Sequence, residues 1–139
     1  MIRAMSASGN HSHESRVPAL PESIALARSI VTAHLPPWAA SESVAVAKLL
    51  ASEVVTNAIL HSGAAPTDSI TLRTDVDDQR IRVEMEDPGA SFDWPDPLPA
   101  PNDGSGYGLH LVSRNAQSWG MRAGERPPTV VWFELPLGP

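Results

Sequence analysis

The chain has 139 residues, of which 42% are hydrophobic and 19% are charged, with a formal net charge of −6. That length and hydrophobic share suit one folded domain and exclude disorder throughout, while the negative charge and the lack of a basic run argue against nucleic-acid binding. Cysteine is absent, which excludes disulfides and thiolate metal sites and is compatible with the cytoplasmic location we expect.

The N-terminal stretch, residues 1–17, is polar, rich in small side chains and without periodicity. It lacks the apolar centre of a secretory signal, and no segment of the chain reaches the roughly 20 apolar residues of a membrane span. We therefore expect a flexible polar tail over residues 1–17 and a single domain over residues 18–139. His11 and His13 are interpreted as solvated side chains of that tail rather than as a metal pair.

Two amphipathic helices are predicted after the tail, over residues 21–35 and 41–62. Ser41 is a plausible N-cap of the second helix, and Gly63 is a plausible C-terminal stop. The apolar face of the first helix consists of Ile24, Ala27, Val31 and Leu35.

The hydrophobic period then changes to two. Residues 69–76 and 80–87 alternate apolar and polar side chains, which predicts an antiparallel hairpin with one buried face. Residues 88–105 are rich in proline and have no period, which predicts a long loop, with a lid or linker over about 90–105.

A third helix is predicted over residues 107–119, followed by a closing hairpin of residues 118–124 and 129–137. The predicted order is two helices, two strands, a loop, one helix and two strands, which is typical of the α+β class. We therefore expect a two-layer sandwich with the helices packed on one face of a mostly antiparallel sheet.

The second helix carries an apolar stripe that turns polar toward its C-terminal end. At 100° per residue, the stripe spans an arc of about 120° and consists of Val46, Leu49, Leu50, Glu53, Asn57, Leu60 and His61. A carboxylate in a dry core costs several kcal/mol unless it is paired. Either this helix end is simply exposed, or Glu53 and Asn57, four residues apart, point into one pocket. An amide oxygen suits Mg²⁺ beside phosphates and water, and a carboxylate can deprotonate an attacking hydroxyl.

Two further features suit a nucleotide. Asp87 ends a predicted strand, where a carboxylate can accept a hydrogen bond from the amine of adenine, although Asp-Pro-Gly alone is also typical of a turn. The sequence GSGYG places Gly104, Gly106 and Gly108 ahead of the third helix, where backbone N–H groups can approach an anion. It is neither a Walker loop nor a Rossmann fingerprint. Each signal is weak alone, and their order along the chain is what predicts a nucleotide site.

As a set, these motifs resemble the ATP-binding fold shared by histidine kinases, gyrase B, Hsp90 and MutL. Within that group they most resemble the stand-alone anti-sigma-factor serine/threonine kinases of the RsbW and SpoIIAB type. ASEVVTNAILHSG resembles the N box of the family, EDPG its first glycine box and GSGYGLHLVSRNA its second. ALARSIVTAHL resembles the first helix and TVVWFELP the terminal strand, so the resemblance covers about residues 20–137.

The resemblance implies the Bergerat fold, with ATP and Mg²⁺ as cofactors. It implies that Glu53 is the catalytic carboxylate, that Asn57 binds the metal and that Arg28 contacts a partner. The cofactor-binding positions that it implies are Asn57, Asp87, Gly89, Gly104, Gly106, Gly108, Leu109 and Thr129. The implied partners are a sigma factor, an anti-sigma antagonist of the STAS type, or both, with no direct contact to nucleic acid or membrane. A homodimer is left open.

Two departures from the family pattern leave the activity open. The first glycine box lacks its second glycine, and residues 92–103 contain no Lys or Arg. Positive charge for the phosphates must then come from Mg²⁺, backbone N–H groups, Arg114 or a partner. The sequence is consistent with an active kinase for an antagonist domain, or with a nucleotide-binding regulator that sequesters its partner without phosphotransfer. A detached histidine-kinase catalytic domain and a sandwich that binds no nucleotide are the weaker alternatives.

Overall fold

The computed structural model describes residues 11–61, 67–87, 107–122 and 129–138, which form five strands and three helices. In chain order these elements are β1 (His11–Pro18), α1 (Glu22–His34), α2 (Ser41–His61), β2 (Ser69–Val76), β3 (Arg80–Asp87), α3 (Tyr107–Asn115), β4 (Ser118–Arg122) and β5 (Thr129–Pro136). None of the described helices combines the length and the apolar character needed to cross a membrane.

The five strands form one sheet in the order β1-β2-β3-β5-β4, and all neighbouring strands are antiparallel. The predicted hairpin is confirmed, because β2 and β3 pair with Leu72 opposite Met85 and Thr74 opposite Val83. Its turn is stabilised by Asp77, whose Oδ1 accepts hydrogen bonds from the backbone N–H groups of Gln79 and Arg80 at 2.8 and 2.9 Å. These bonds hold the pKa of the Asp77 carboxyl below its ordinary value.

The three helices cover one face of the sheet, which confirms the predicted fold class. α2 lies between α1 and α3 and contacts both. Its fully buried face consists of Ala47, Leu50, Ala51, Val54, Val55 and Ala58. The stripe predicted from the sequence overlaps only one border of this buried face. Leu49, a member of the predicted stripe, is 39% exposed and lies outside the core. Neighbouring helices on both sides allow α2 to bury positions beyond a single narrow stripe.

β1 corrects the prediction of a flexible tail over residues 1–17. His11–Pro18 pairs with β2 along its whole length, and Val17 is 1% exposed in the core. The strand has little hydrophobic signature in the sequence, because an edge strand with one solvated face needs few apolar residues. Its polar side chains instead make cross-strand contacts, such as Arg73 Nε donating to Glu14 Oε1 at 3.0 Å. Residues 1–10 lie outside the described residues.

His13 is likewise not a merely solvated side chain. Its ring stacks on the ring of His34 at the end of α1, with centroids 3.9 Å apart and planes 4° from parallel. His34 Nδ1 in turn lies 3.1 Å from Thr74 Oγ1 of β2. This contact ties the edge strand to the helix layer.

Two predicted boundaries shift. α3 ends at Asn115 rather than at residue 119, because the N–H of Gln117 donates to Glu134 O at 2.8 Å and draws the chain into the sheet. At the start of α2, Ala40 rather than Ser41 takes the cap position, since its C=O accepts the first helical bond, from Val44 N, at 3.0 Å. The predicted loop over residues 88–105 lies outside the described residues.

Candidate functional site

The orientation of α2 decides which end of the sheet its polar residues approach. The N–H of Ala40 donates to Leu137 O at 2.8 Å, so α2 begins beside the C-terminal end of β5. A helix of 21 residues is about 31 Å long. Its C-terminal half therefore extends toward the opposite end of the sheet, where β3 ends at Asp87 and β5 begins at Thr129.

α3 is oriented so that its first turn, rather than its last, approaches this same end of the sheet. Its C-terminal end lies near Glu134, because the next residues bond there, so its first turn lies toward the end of the sheet that holds Asp87. Gly108 and Leu109 belong to that first turn, where backbone N–H groups have no partner within the helix and favour an anion. Gly89, Gly104 and Gly106 lie outside the described residues.

Asn57 is the most informative residue of this region. It is 6% exposed, and its Nδ2 atom has no hydrogen-bond partner among the described residues. A buried amide without a partner costs on the order of 1–3 kcal/mol. A polar ligand at this position would remove that cost.

Glu53 lies one helical turn before Asn57 on the same side of α2 and is partly buried. Burial raises the pKa of the Glu53 carboxyl above its ordinary value, and its side chain forms no ion pair within the described part of the chain. A carboxylate with a raised pKa is a better proton acceptor near neutral pH than a solvated one.

Asp87 is the third polar residue of this region, and it is 1% exposed at the last position of β3. It continues the alternation of Val83 and Met85, so it belongs to the helix-covered face of the sheet. Its register partner on β5 is Thr129. The structure thus brings Glu53, Asn57, Asp87, Thr129 and the first turn of α3 to one end of the sandwich.

These residues fit a nucleotide with a divalent ion. Within the described segments, no group of three or more His, Cys, Asp or Glu side chains could hold a metal. An ion here would consequently depend on Asn57 together with phosphate and water oxygens, which is the ligand set that Mg²⁺ prefers. The Asn57 amide can present either oxygen or nitrogen by rotation of its terminal torsion.

Neither predicted arginine belongs to this group. Arg28 is turned toward α2, where its Nη1 donates to Ser52 Oγ at 3.1 Å, while Ser52 Oγ donates to Lys48 O at 2.9 Å. Ser52 was not predicted as a functional residue, and its only local sign in the sequence is its place directly before Glu53. Arg114 lies in the last turn of α3 and is exposed, near the other end of the sheet. It is not placed to supply charge to the phosphates.

The comparisons with known proteins agree with this architecture. A family model described as "Histidine kinase-like ATPase domain" matches residues 17–134. The crystal structure of the RsbU and RsbW domains of Rv1364c from Mycobacterium tuberculosis superposes with a TM-score of 0.67 over 90% of this chain, at 15% identity, and so is similar in fold alone. No significant match was found among curated proteins.

Two structures of a light-activated enzyme are also similar. The histidine kinase domain from the Erythrobacter litoralis EL346 blue-light activated histidine kinase has a TM-score of 0.52 and 30% identity over 69% of this chain. The blue-light activated histidine kinase itself has a TM-score of 0.52 and 28% identity over 71% of this chain. The match covers 31%, 45% and 32% of the three solved chains, respectively, so it spans less than half of each. Because the family model matches most of its length, the chain belongs to the histidine kinase-like ATPase family.

Proposed function

We propose that the protein is a Mg-ATP-dependent serine/threonine kinase of the anti-sigma-factor type. It phosphorylates a hydroxyl on an anti-sigma antagonist domain of the STAS type and binds a sigma factor. The observation that carries the proposal is the pair on α2, namely a buried Asn57 amide whose nitrogen has no hydrogen-bond partner among the described residues, and a Glu53 carboxyl whose pKa is raised by burial. Family membership implies ATP as the nucleotide.

Each residue has a distinct task in this proposal. Asn57 would hold the divalent ion, which supplies neutralisation of phosphate charge when bound. Asp87, which is buried at the end of β3, would accept a hydrogen bond from the amine of adenine. The backbone N–H groups of the first turn of α3 would bind phosphate oxygens. These interactions position the nucleotide, and positioning with charge neutralisation accounts for most of the catalysis of phosphoryl transfer.

Glu53 would act on the attacking hydroxyl. The hydroxyl oxygen of the antagonist forms a bond to the γ-phosphorus, the bond from that phosphorus to the bridging oxygen of ADP breaks, and the hydroxyl proton passes to the Glu53 carboxylate. General-base catalysis of this kind contributes on the order of 10²–10⁴-fold in rate. The raised pKa of Glu53 suits this role, because it brings proton affinity closer to the working pH.

Transfer of labelled phosphate from ATP to a cognate antagonist domain tests the proposal. Glu53→Gln is expected to lower transfer by at least about 100-fold while Mg-ATP binding persists. Asn57→Ala is expected to abolish Mg-ATP binding. Glu42→Gln, an exposed glutamate in the first turn of the same helix, is the matched control and should change neither. Undiminished transfer by Glu53→Gln would remove this residue from the catalytic role.

A second function is favoured by one observation. Arg114, one predicted source of positive charge for the phosphates, lies toward the other end of the sheet, and residues 92–103 contain no Lys or Arg. A regulator that binds Mg-ATP and sequesters a partner without phosphotransfer needs no such cation. Tight binding in calorimetry without label transfer identifies this function. An acid-labile label would instead indicate a phosphohistidine, as expected of a detached histidine-kinase catalytic domain.

A further inference from the structure

Three large apolar side chains are exposed among the described residues, and one of them lies beside the proposed catalytic carboxylate. They are Leu26 on α1, Trp38 in the connection before α2 and Leu49 on α2 itself, which are 46%, 58% and 39% exposed. Leu49 precedes Glu53 by four residues, so the two side chains are neighbours on the helix surface, with Cβ atoms about 5–6 Å apart. No step of the proposed phosphotransfer involves Leu49.

The surroundings of α2 limit the directions from which an acceptor can approach Glu53. The sheet lies beneath the helix, against its fully buried face. α1 covers one flank, where Arg28 donates to Ser52. α3 covers the other flank, where Asn115 of α3 and Val46 of α2 line one shared groove. Within the described part of the chain, the outward side of α2 is the one that stays open.

Helical geometry places Leu49 and Asn57 on opposite sides of Glu53. At 100° per residue, Asn57 lies about 40° from Glu53 toward the flank of α3, and Leu49 lies about 40° from it toward the flank of α1. Burial follows the same order, since Asn57 is buried, Glu53 is intermediate and Leu49 is exposed. A metal ion and phosphates held at Asn57 therefore leave the Leu49 side of Glu53 to the acceptor.

The outward surface that adjoins Leu49 consists of small side chains. Ala45 is exposed one turn before it, and Thr56 is half-buried two turns after it. Apart from the proposed catalytic carboxylate, the nearest charged side chains on the outward side of α2 are those of Glu42, two turns away, and Lys48, about 100° around the helix. A surface of this composition favours an apolar group of the acceptor, because a charged group would lose hydration there without gaining a partner.

We propose that Leu49 determines acceptor specificity by contacting an apolar side chain that the acceptor carries near its phosphorylated hydroxyl; this inference rests on the proposed phosphotransfer function. With the hydroxyl at Glu53, that side chain lies about 6 Å away, which corresponds to two residues in an extended segment or one turn in a helical one. The contact removes apolar surface of both proteins from water. It therefore favours an acceptor with an apolar residue at this position over one with a polar residue.

Kinetics of labelled phosphate transfer from ATP to a cognate antagonist domain of the STAS type test the role of Leu49. Leu49→Ser should raise the KM for the antagonist domain about tenfold or more, because an apolar contact between the two proteins is lost. The same variant should keep kcat within about threefold and leave Mg-ATP binding unchanged, because the contact is made equally before and during transfer. Leu49→Met keeps an apolar side chain and should retain the KM within about threefold.

Trp38→Ser is the matched control, because Trp38 is also exposed but precedes the N-terminal end of α2, away from Glu53. It should leave the KM for the antagonist domain unchanged. Circular dichroism checks that every variant is folded, which is expected of Leu49→Ser because the side chain lies outside the core.

Substitutions on the acceptor identify the apolar side chain that contacts Leu49. Each exposed apolar residue near the phosphorylated hydroxyl is changed to Ser in turn. The residue that contacts Leu49 should raise the KM for the wild-type kinase about tenfold but change the KM for Leu49→Ser by less than about twofold, because that contact is already absent. Equal effects of every such change on both kinases would contradict the contact.

The possible failures are distinguishable. A KM for Leu49→Ser equal to that of the wild type, a loss confined to kcat, or weakened Mg-ATP binding would overturn the role of Leu49 while phosphotransfer by the wild type stands. A wild type that transfers no phosphate to the antagonist domain would overturn the proposed function, and the role of Leu49 with it.

Discussion

Buried polar residues on the two sides of the sheet differ in whether the described chain supplies their hydrogen-bond partners. On the face away from the helices, Glu134 is 9% exposed but accepts bonds from Arg80 at 2.9 Å, Arg82 at 3.1 Å and Ser118 at 2.9 Å. On the helix side, Glu53 is partly buried and has no such partners in the described segments, and one turn away the Asn57 amide nitrogen has no hydrogen-bond partner there either.

The pKa values of Glu134 and Glu53 shift in opposite directions for this reason. Burial alone would raise the pKa of the Glu134 carboxyl, but the hydrogen bonds from Ser118 and Arg82 and the charges of both arginines hold it below its ordinary value. Burial raises the pKa of Glu53, and nothing on the described chain opposes it. A buried polar group that the chain satisfies serves the fold, whereas one that it leaves unsatisfied is a candidate for a ligand.

The largest expected effect on stability comes from breaking the outer network. Glu134→Ala leaves Arg80 and Arg82 without their shared acceptor and should lower the free energy of unfolding by about 2–3 kcal/mol, less than for fully buried pairs because the arginines reach solvent. Urea unfolding measures the loss. Glu14→Ala, which removes an exposed pair, is the control and should cost below about 1 kcal/mol.

Gly120 offers a second way to disturb the outer face. A Cβ at this position would lie 2.7 Å from Trp132 Nε1, and the Trp132 ring already stacks against Arg82 at 4.1 Å. Gly120→Ala should therefore displace the indole and cost about 1–2 kcal/mol. Thermal unfolding monitored by tryptophan fluorescence checks this. A variant as stable as the wild type would mean that the ring moves freely.

Glu53 should behave in the opposite way to Glu134. Its raised pKa means that the native state is penalised once pH rises through the folded pKa, and is free of that penalty below the ordinary value of 4.5. Glu53→Gln should thus stabilise the protein at pH 7, by up to about 1 kcal/mol, with a difference that shrinks on acidification. Unfolding curves from pH 7 to pH 4 measure this trend. A destabilised variant at pH 7 would contradict the proposed lack of partners.

The smallest expected effect concerns the stacked histidines. Burial first, and the charge of His13 second, lower the pKa of His34 below 6.5. The stability contributed by neutral His34 is therefore complete above pH 6.5 and is lost as pH falls through the folded pKa. His34→Gln should flatten this part of the pH dependence, with a change at pH 7.5 within about 0.5 kcal/mol. Stability curves of both proteins between pH 7.5 and pH 5 test it.

The local hydrophobic pattern was sufficient to predict those helices and strands in which apolar residues recur at a regular spacing. The bounds of β2 and β3 match the period-two segments, and α1 and α2 match the helical ones within one residue, because the hydrophobic period distinguishes strands from helices. The polar residues Glu53 and Asn57 could also be singled out, since a helix rarely places them in an apolar stripe without reason. Their proposed roles still rest on the experiments above.

Contacts between distant parts of the chain decided the rest. β1 is a strand because its backbone pairs with β2, more than 50 residues away, and its polar sequence carries almost no local sign of this. α3 ends at Asn115 because β5 offers Glu134 O to the following residues. The sequence by itself determined the two-layer architecture and the polar stripe, because both follow from short-range alternation. Only the tertiary structure decided which polar groups find partners, because hydrogen bonds and ion pairs depend on neighbours that periodicity does not specify.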